Sequence, residues 1–277
     1  HWGRTLERFG NTIRLMAAQF VKPYVKTNKT DANDAEAICE AVSRPSMRFV
    51  PVKSAEQQSV LALHRVRQGF VEERTATLNR IRGLLAEFGH VLPQRAVEVR
   101  RRLPALLDQL PPLAARALGD LQAHVRVLDE RVVEYERELA RLARSDERAQ
   151  QVQALCGVGP LTASAIIASV GSAHEFDNGR QFAAWLGLVP RQYSTGGKTR
   201  LGHITRRGDP YLRTLLVLGA RAVLQAASRR EDRLSRWALS VRERRGYHRA
   251  CVAIAAKNAR IVWALLAKDE PWRVVMA

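Results

Sequence analysis

The chain has 277 residues, 46% of them hydrophobic, with 45 Lys and Arg against 27 Asp and Glu and a formal net charge of +18. That size suffices to bury substantial cores in two or three units, and the charge makes a polyanion the expected partner. No apolar run reads as long enough to span a bilayer and no signal peptide is visible, so no membrane partner is expected.

Cys39, Cys156 and Cys251 lie far apart and form no CxxC pair, which disfavours structural zinc and fits a reducing cytoplasm. The chain opens at His1 inside a helical pattern that Gly10 closes, so it reads as lacking its true N-terminus. Asn11 to Ala17 then alternates apolar and polar residues as a half-buried strand does. Helix followed by strand suggests the remnant of an α/β domain.

Asp31 and Asp34 stand three apart at the start of the next helical segment, which places both carboxylates on one face. Beside Lys26 and Lys29 they form a candidate Mg²⁺ site, because that ion takes oxygen ligands and keeps waters for phosphate substrates. The competing reading is a capped helix start, where aspartate favours the positive end of the dipole. Arg48 to Val52 reads as an edge strand interrupted by Pro51.

A long helical pattern runs from Ser54 to Phe88. Pro93, Pro104, Pro111 and Pro112 mark a broken connector with a short helix around Arg95 to Leu103. Leu118, Leu121, Val125, Leu128, Val132, Tyr135, Leu139 and Leu142 then keep an a/d heptad order. The return through the prolines suggests an antiparallel helical hairpin, which a second subunit would be able to complete. Ser145 to Arg148 reads as a boundary.

Beyond it, Val152 to Gly171 places an apolar helix, a Gly-Val-Gly-Pro turn and a helix of small residues in succession. This is a helix–hairpin–helix pattern. Gly157 and Gly159 permit a tight turn whose N–H groups, at a helix start, hold a DNA phosphate. An ordinary αα-hairpin is the alternative. Phe182 to Leu188 reads as a helix ended by Gly187, and Asp209-Pro210 opens another, with Asp209 as N-cap. A last helix covers about His248 to Leu266.

Between these helices lies the polar stretch Pro190 to Arg213, with Ser194 and Thr195 before Gly196 and Gly197 and a cluster of Lys198, Arg200, Arg206, Arg207 and Arg213 behind. Glycines let backbone N–H groups approach an anion and the cations neutralise it, so a hydroxyl here is a candidate attacker of a phosphodiester. A phosphate-gripping surface loop is the plainer reading. The TGGKT string is not a nucleotide-binding P-loop, because the upstream glycine is missing. From Ser194 onward 18 Lys and Arg face 6 Asp and Glu, which favours nucleic acid over a merely solvated face.

Taken together, VKPYVKTNKTDANDAEAI, FVPVKSAEQQSVLALHRVR, LCGVGPLTASAIIASVG, FAAWLGLVPRQYSTGGKTRLGHITRRGDPYLRTLL and VAIAAKNARIVWALL carry a resemblance over essentially the whole chain. It resembles the DEDD insertion-sequence transposases, the bridge-RNA-guided recombinases related to pilin-gene invertases. The resemblance implies a fold that is mainly α with an N-terminal α/β remnant. Its parts would be a truncated RuvC-like domain over 1–55, a coiled-coil arm over 56–145 and a C-terminal serine-bearing domain with a helix–hairpin–helix over 146–277.

Of the four family acids, the last two fall on Asp31 and Asp34 and the first two have no counterpart. An inactive fragment is therefore the expectation. The family serine falls on Ser194. Implied partners are DNA, a structured guide RNA and further copies of the chain, with Mg²⁺ as cofactor. A non-catalytic nucleic-acid-binding protein and a metal-only RuvC-like nuclease remain as rivals.

Overall fold

The computed structural model describes residues 1–26, 28 and 30–268. Two compact units divide the chain, His1–Gln58 and Ser59–Ala277.

The first unit contains α1 (Trp2–Arg8), β1 (Leu15–Met16), α2 (Ala18–Val21), a 3-10 turn over Lys22–Tyr24, α3 (Asp31–Val42) and β2 (Phe49–Val50). The strand expected over Asn11–Ala17 contracts to Leu15–Met16. It pairs antiparallel with β2, Leu15 opposite Val50 and Met16 opposite Phe49. The ladder stops there because Pro51 follows at once and has no N–H to donate. Its residues are more open than a half-buried strand requires, with Leu15, Phe49 and Val50 exposed. The α/β character of this unit is thus one very short antiparallel ladder whose strands are joined through α2 and α3. Ala37 and Ala41, one turn apart on α3, are buried, and α3 lies against α2 and the 3-10 turn.

The boundary falls within α4 (Ala55–Glu87), most of which belongs to the second unit and which is opened by a capping box in which Ser54 Oγ accepts from Gln57 N and Gln57 Oε1 accepts from Ser54 N. The second unit continues with α5 (Ala96–Leu107) and α6 (Pro112–Ser145). α4 and α6 run antiparallel: Arg67 pairs with Glu136, Phe70 meets Tyr135 edge-on at 5.6 Å, and Arg74 Nη1 lies 3.0 Å from Asp129. Five of the eight heptad positions are fully buried, Leu118, Val125, Leu128, Val132 and Leu139, while Leu121, Tyr135 and Leu142 are half-buried. The expected break at Pro104 does not occur, and α5 runs through it to Leu107. Proline inside a helix costs roughly 3 kcal/mol. Here Val99 and Leu103, buried against Leu78, Ile81 and Leu85 of α4, offset that cost.

Six α-helices and two strands follow among the described residues: α7 (Glu147–Gln153), α8 (Pro160–Ser169), α9 (Gly179–Trp185), β3 (Pro190–Gln192), β4 (Leu201–Ile204), α10 (Pro210–Ala226), α11 (Arg233–Arg245) and α12 (Tyr247–Lys268), with 3-10 turns over Ala173–Glu175 and Ala227–Arg229. The main core lies here, centred on Leu155, Ile166, Phe182, Leu212, Leu216 and Ile254.

α11 has no counterpart in the sequence reading. Its apolar positions Leu234, Trp237, Ala238 and Val241 are scattered among arginines and show their helical spacing only once they pack on the core. A second correction concerns α12. By length and hydropathy this helix is apolar enough to cross a membrane, although the sequence reading found no such run. In the fold its stripe of Ala250, Ile254, Ala259 and Val262 is buried against α9, α10 and α11, as a core helix requires.

Candidate functional site

Ser194 sits at the tip of a β-hairpin. β3 and β4 pair antiparallel, with Pro190 opposite Ile204 and Gln192 opposite Leu201 across an irregularity in register. Tyr193 N donates to Arg200 O at 2.8 Å and Lys198 N to Thr195 O at 3.0 Å, which closes the tip. Gly196 and Gly197 occupy the two turn positions with φ of +54° and +75°. A two-residue turn with both φ positive matches strand twist and nearly demands Gly-Gly. The glycine pair that reads as an anion cradle in sequence is therefore first a turn requirement. Ser194 is exposed, and its Oγ accepts from Gln192 Nε2 at 2.8 Å. Thr195, Lys198, Arg200, Arg206 and Arg207 are not buried, and none of them forms an ion pair among the described residues.

Backbone packing fastens the base of this hairpin. A Cβ on Gly208 would stand 1.9 Å from Trp185 O, and one on Gly187 would stand 2.1 Å from Arg207 O. Only two glycines allow the chain after β4 to lie against the end of α9. Thr205 N donates to Val189 O at 2.8 Å and Arg206 N to Gly187 O at 3.2 Å. Arg206 adopts φ +55°, a left-handed conformation that costs a non-glycine residue about 1 kcal/mol or more. Arg213 differs from the other cations. Its Nη1 donates to Leu186 O and to Arg207 O, both at 3.1 Å, so the guanidinium braces the hairpin base from α10.

The segment expected to form a helix–hairpin–helix consists of α7, the turn Ala154–Gly159 and α8. Asp146 caps α7, its Oδ1 accepting from Arg148 N and Ala149 N. Gly157 has φ +87°, and a Cβ there would meet Gly219 O at 2.8 Å. A Cβ on Gly219 would lie 1.8 Å from Gly157 O. The turn and α10 thus touch backbone to backbone, which accounts for Gly157 by packing. Gly159 is different: it precedes α8 with open space where a Cβ would be, and no side chain caps that helix. Its first-turn N–H groups have the polarity that receives an anion. Asn258, which the sequence reading left without a role, pins the turn. It is fully buried and Nδ2 donates to Cys156 O at 3.0 Å.

Asp31 and Asp34 belong to the first unit. The N-cap of α3 is Thr30, whose Oγ1 accepts from Asn33 N at 3.2 Å, so neither aspartate is the cap. Both stand in the first turn, Asp31 exposed and Asp34 half-buried. Lys26 turns away to Glu36 at 2.9 Å, and Lys29 lies outside the described residues. Among the described residues no third metal-ligating side chain joins the pair. Two carboxylates on one helix face still fit the way Mg²⁺ is held, by one or two carboxylates together with waters and substrate phosphates.

Comparison with known proteins decides the family. Residues 149–235 match the family described as "Transposase IS116/IS110/IS902 family", and residues 12–90 match a DEDD family of IS110 elements described as "Transposase". A Pseudomonas aeruginosa protein named "Probable family 20 transposase" is 51% identical over 99% of this chain and 82% of its own length. The "Transposase for insertion sequence element IS1111A" of Coxiella burnetii is 47% identical over 99% of this chain and 76% of its own. The "Transposase for insertion sequence element IS1328" of Yersinia enterocolitica is 42% identical over 94% and 78%. The chain belongs to the IS110 family of insertion-sequence transposases.

In this transposase three helices meet at His64, a residue the sequence reading passed over. The ring is buried between Tyr211 Oη, 2.9 Å from Nδ1, and Ser164 Oγ, 3.1 Å from Nε2. Ser164 Oγ already donates to Pro160 O at 2.8 Å, so it accepts from Nε2–H, and Nδ1 then accepts from the tyrosine hydroxyl. Neutral histidine satisfies this chain of bonds linking α4, α8 and α10. Burial, and then the Arg67 charge, hold its pKa down to about 4 from the ordinary 6.5. A basic group with a lowered folded pKa stabilises the fold above its unfolded pKa and loses that contribution as pH falls. The transposase should therefore lose up to about 3 kcal/mol between pH 6.5 and 4 through this residue. Urea unfolding across that range, compared with His64→Gln, checks it: the variant should show the flatter profile.

Proposed function

We propose that this transposase cuts and rejoins DNA through the Ser194 hydroxyl. The observation that carries the reading is a serine presented at a hairpin tip, hydrogen-bonded to Gln192 and followed on the same hairpin by Lys198 and Arg200, which form no ion pair among the described residues. In the step, Oγ forms a bond to the DNA phosphorus, the P–O3′ bond breaks and the 3′ oxygen leaves as a hydroxyl, its proton coming from the serine. Lys198, Arg200, Arg206 and Arg207 offset the charge that builds on the phosphate oxygens. Gln192 holds the hydroxyl in one orientation. In the first unit, Asp31 and Asp34 would hold a divalent ion, Mg²⁺ by their oxygen donors, which when bound would supply positive charge to a phosphate substrate.

The finer architecture belongs to the same reading. It comprises a RuvC-like domain over 1–55, a coiled-coil arm over 56–145 supported by the buried heptad seam, and a serine-bearing domain over 146–277. In the last of these, α7, the turn and α8 act as a helix–hairpin–helix through the open N-terminus at Gly159, with Gly157 holding the turn in place. A structured guide RNA and further copies of the chain complete the assembly, consistent with the net charge of +18.

The test is a DNA-cleavage reaction followed by denaturation. Protein that carries DNA covalently supports the serine chemistry. Cleavage without any adduct favours a metal-only nuclease instead. Asp31→Asn and Asp34→Asn separate ligand from helix-dipole roles. Each should cost under about 1 kcal/mol of stability, the scale of a first-turn charge. Each should also lose metal-dependent cleavage and weaken Mn²⁺ binding measured by calorimetry. Full activity in both variants would reduce the pair to helix electrostatics.

A further inference from the structure

α11 and α12 fold back on one another around Gly246, which adopts φ +83°. The antiparallel pairing brings Lys257 over Trp237, its Nζ 4.2 Å from the ring centroid. Arg233 stands one turn before Trp237 and Arg260 one turn after Lys257, so both flank the contact. The two arginines are exposed and Lys257 is half-buried.

The three cations are close enough to act on one another. Lys257 is held below the ordinary lysine range, by burial first and then by the charges of Arg233 and Arg260. None of them has an acidic partner in any ion pair among the described residues. Of the nearby acids, Asp232 is engaged in capping α11, its oxygens accepting from Ser235 N at 3.0 Å and Ser235 Oγ at 2.7 Å. A cation resting on an aromatic ring would by itself be a staple between helices. That account covers Lys257 and leaves the two arginines beside it unexplained, because they add repulsion without adding packing.

The cluster is separate from the serine hairpin. Gly179, at the start of α9, lies against the backbone of Arg260, where a Cβ would stand 2.9 Å from its carbonyl oxygen. The hairpin leaves from the other end of α9, after Trp185. A helix of that length spans about 10 Å. The cluster is also outside the matched family segments, except for Arg233, since those segments end at residue 235.

We propose that Arg233, Lys257 and Arg260, set around Trp237, form a second phosphate-binding surface for a nucleic-acid backbone. Phosphodiester oxygens supply the counter-charge that no ion pair among the described residues provides there, and binding releases counterions. The surface acts through affinity and has no part in the chemistry at Ser194, so either proposal can fail without the other.

The experiment is a salt titration of binding with two probes, a fluorescein-labelled DNA duplex of random sequence and a labelled RNA stem-loop. In R233Q/K257Q/R260Q the slope of log affinity against log salt should fall by about 2–3 for the probe whose backbone the surface takes. Arg260→Gln alone, at an exposed position, should lower it by about 1. The charge-retaining R233K/K257R/R260K should keep the original slope. A fall with DNA alone assigns the surface to DNA, a fall with RNA alone assigns it to RNA, and a fall with both assigns it to either backbone. Unchanged slopes with both probes would overturn the proposal, as would an equal fall in the charge-retaining variant.

Discussion

Ser194→Ala should abolish the denaturation-resistant protein–DNA adduct while leaving DNA binding in place. The substitution removes one exposed hydroxyl from a hairpin tip and leaves every cation, both turn glycines and the strand pairing intact. Binding rests on the cations, whose contribution is electrostatic and does not need the hydroxyl. Covalent chemistry has no substitute for it, since alanine offers no nucleophile.

Thr195→Ala is the companion. Thr195 forms the closing pair of the turn through its backbone, its carbonyl accepting from Lys198 N, so its side chain is dispensable to the fold. The β-branch also restricts χ1 and makes threonine a poor replacement for serine in a tight attack geometry. Adduct should therefore persist in Thr195→Ala. Digestion of the trapped complex and mass spectrometry of the modified peptide locates the link. A phosphate on Thr195, or an adduct that survives Ser194→Ala, would show that the wrong hydroxyl was chosen.

The second large effect is expected at Gly208, which carries no side chain for the chemistry but follows directly on Arg207. Its φ is +81° and a Cβ would come within 1.9 Å of Trp185 O. Gly208→Ala should cost about 2–5 kcal/mol, adding the left-handed strain of an alanine to the backbone displacement that the overlap forces. Gly196→Ala is the control. It shares a positive φ, +54°, but has open space around it, so it should cost about 1 kcal/mol. Urea unfolding of both variants measures the difference. Gly208→Ala should also lose adduct formation, because the hairpin base moves away from α9. Equal, small losses in the two variants would show that the close contact carries no weight.

The helix starts and the seam were legible in the sequence because their causes are local. Asp209 followed by Pro210 caps and opens α10 as read, with Asp209 Oδ1 accepting from Tyr211 N at 2.7 Å. The a/d order on α6 falls on buried or half-buried positions since helical period alone decides which residues share a face. The serine stretch was visible as chemistry but not as structure: Gly-Gly between short strands is a hairpin signal, yet the flanking residues are polar and exposed and show no alternation. α11 escaped for a related reason, its few apolar residues being hidden among arginines.

By itself the sequence determined the family, the basic character, the identity of the candidate serine and aspartates, and most helix boundaries. The charge and the helix boundaries follow from residue type and short spacing, whereas the family, and with it the serine and the aspartates, follows from a resemblance over long ordered stretches. Only the tertiary structure decided what the glycines and polar residues between them are for. Gly157, Gly187 and Gly208 are set by backbone contacts with segments distant in sequence. Arg213 became a brace because two carbonyls converge on it. His64, Asn258 and the Arg233–Lys257–Arg260 cluster acquired their roles from helices folded against them, and no local pattern encodes which partner a side chain will meet once the chain has packed.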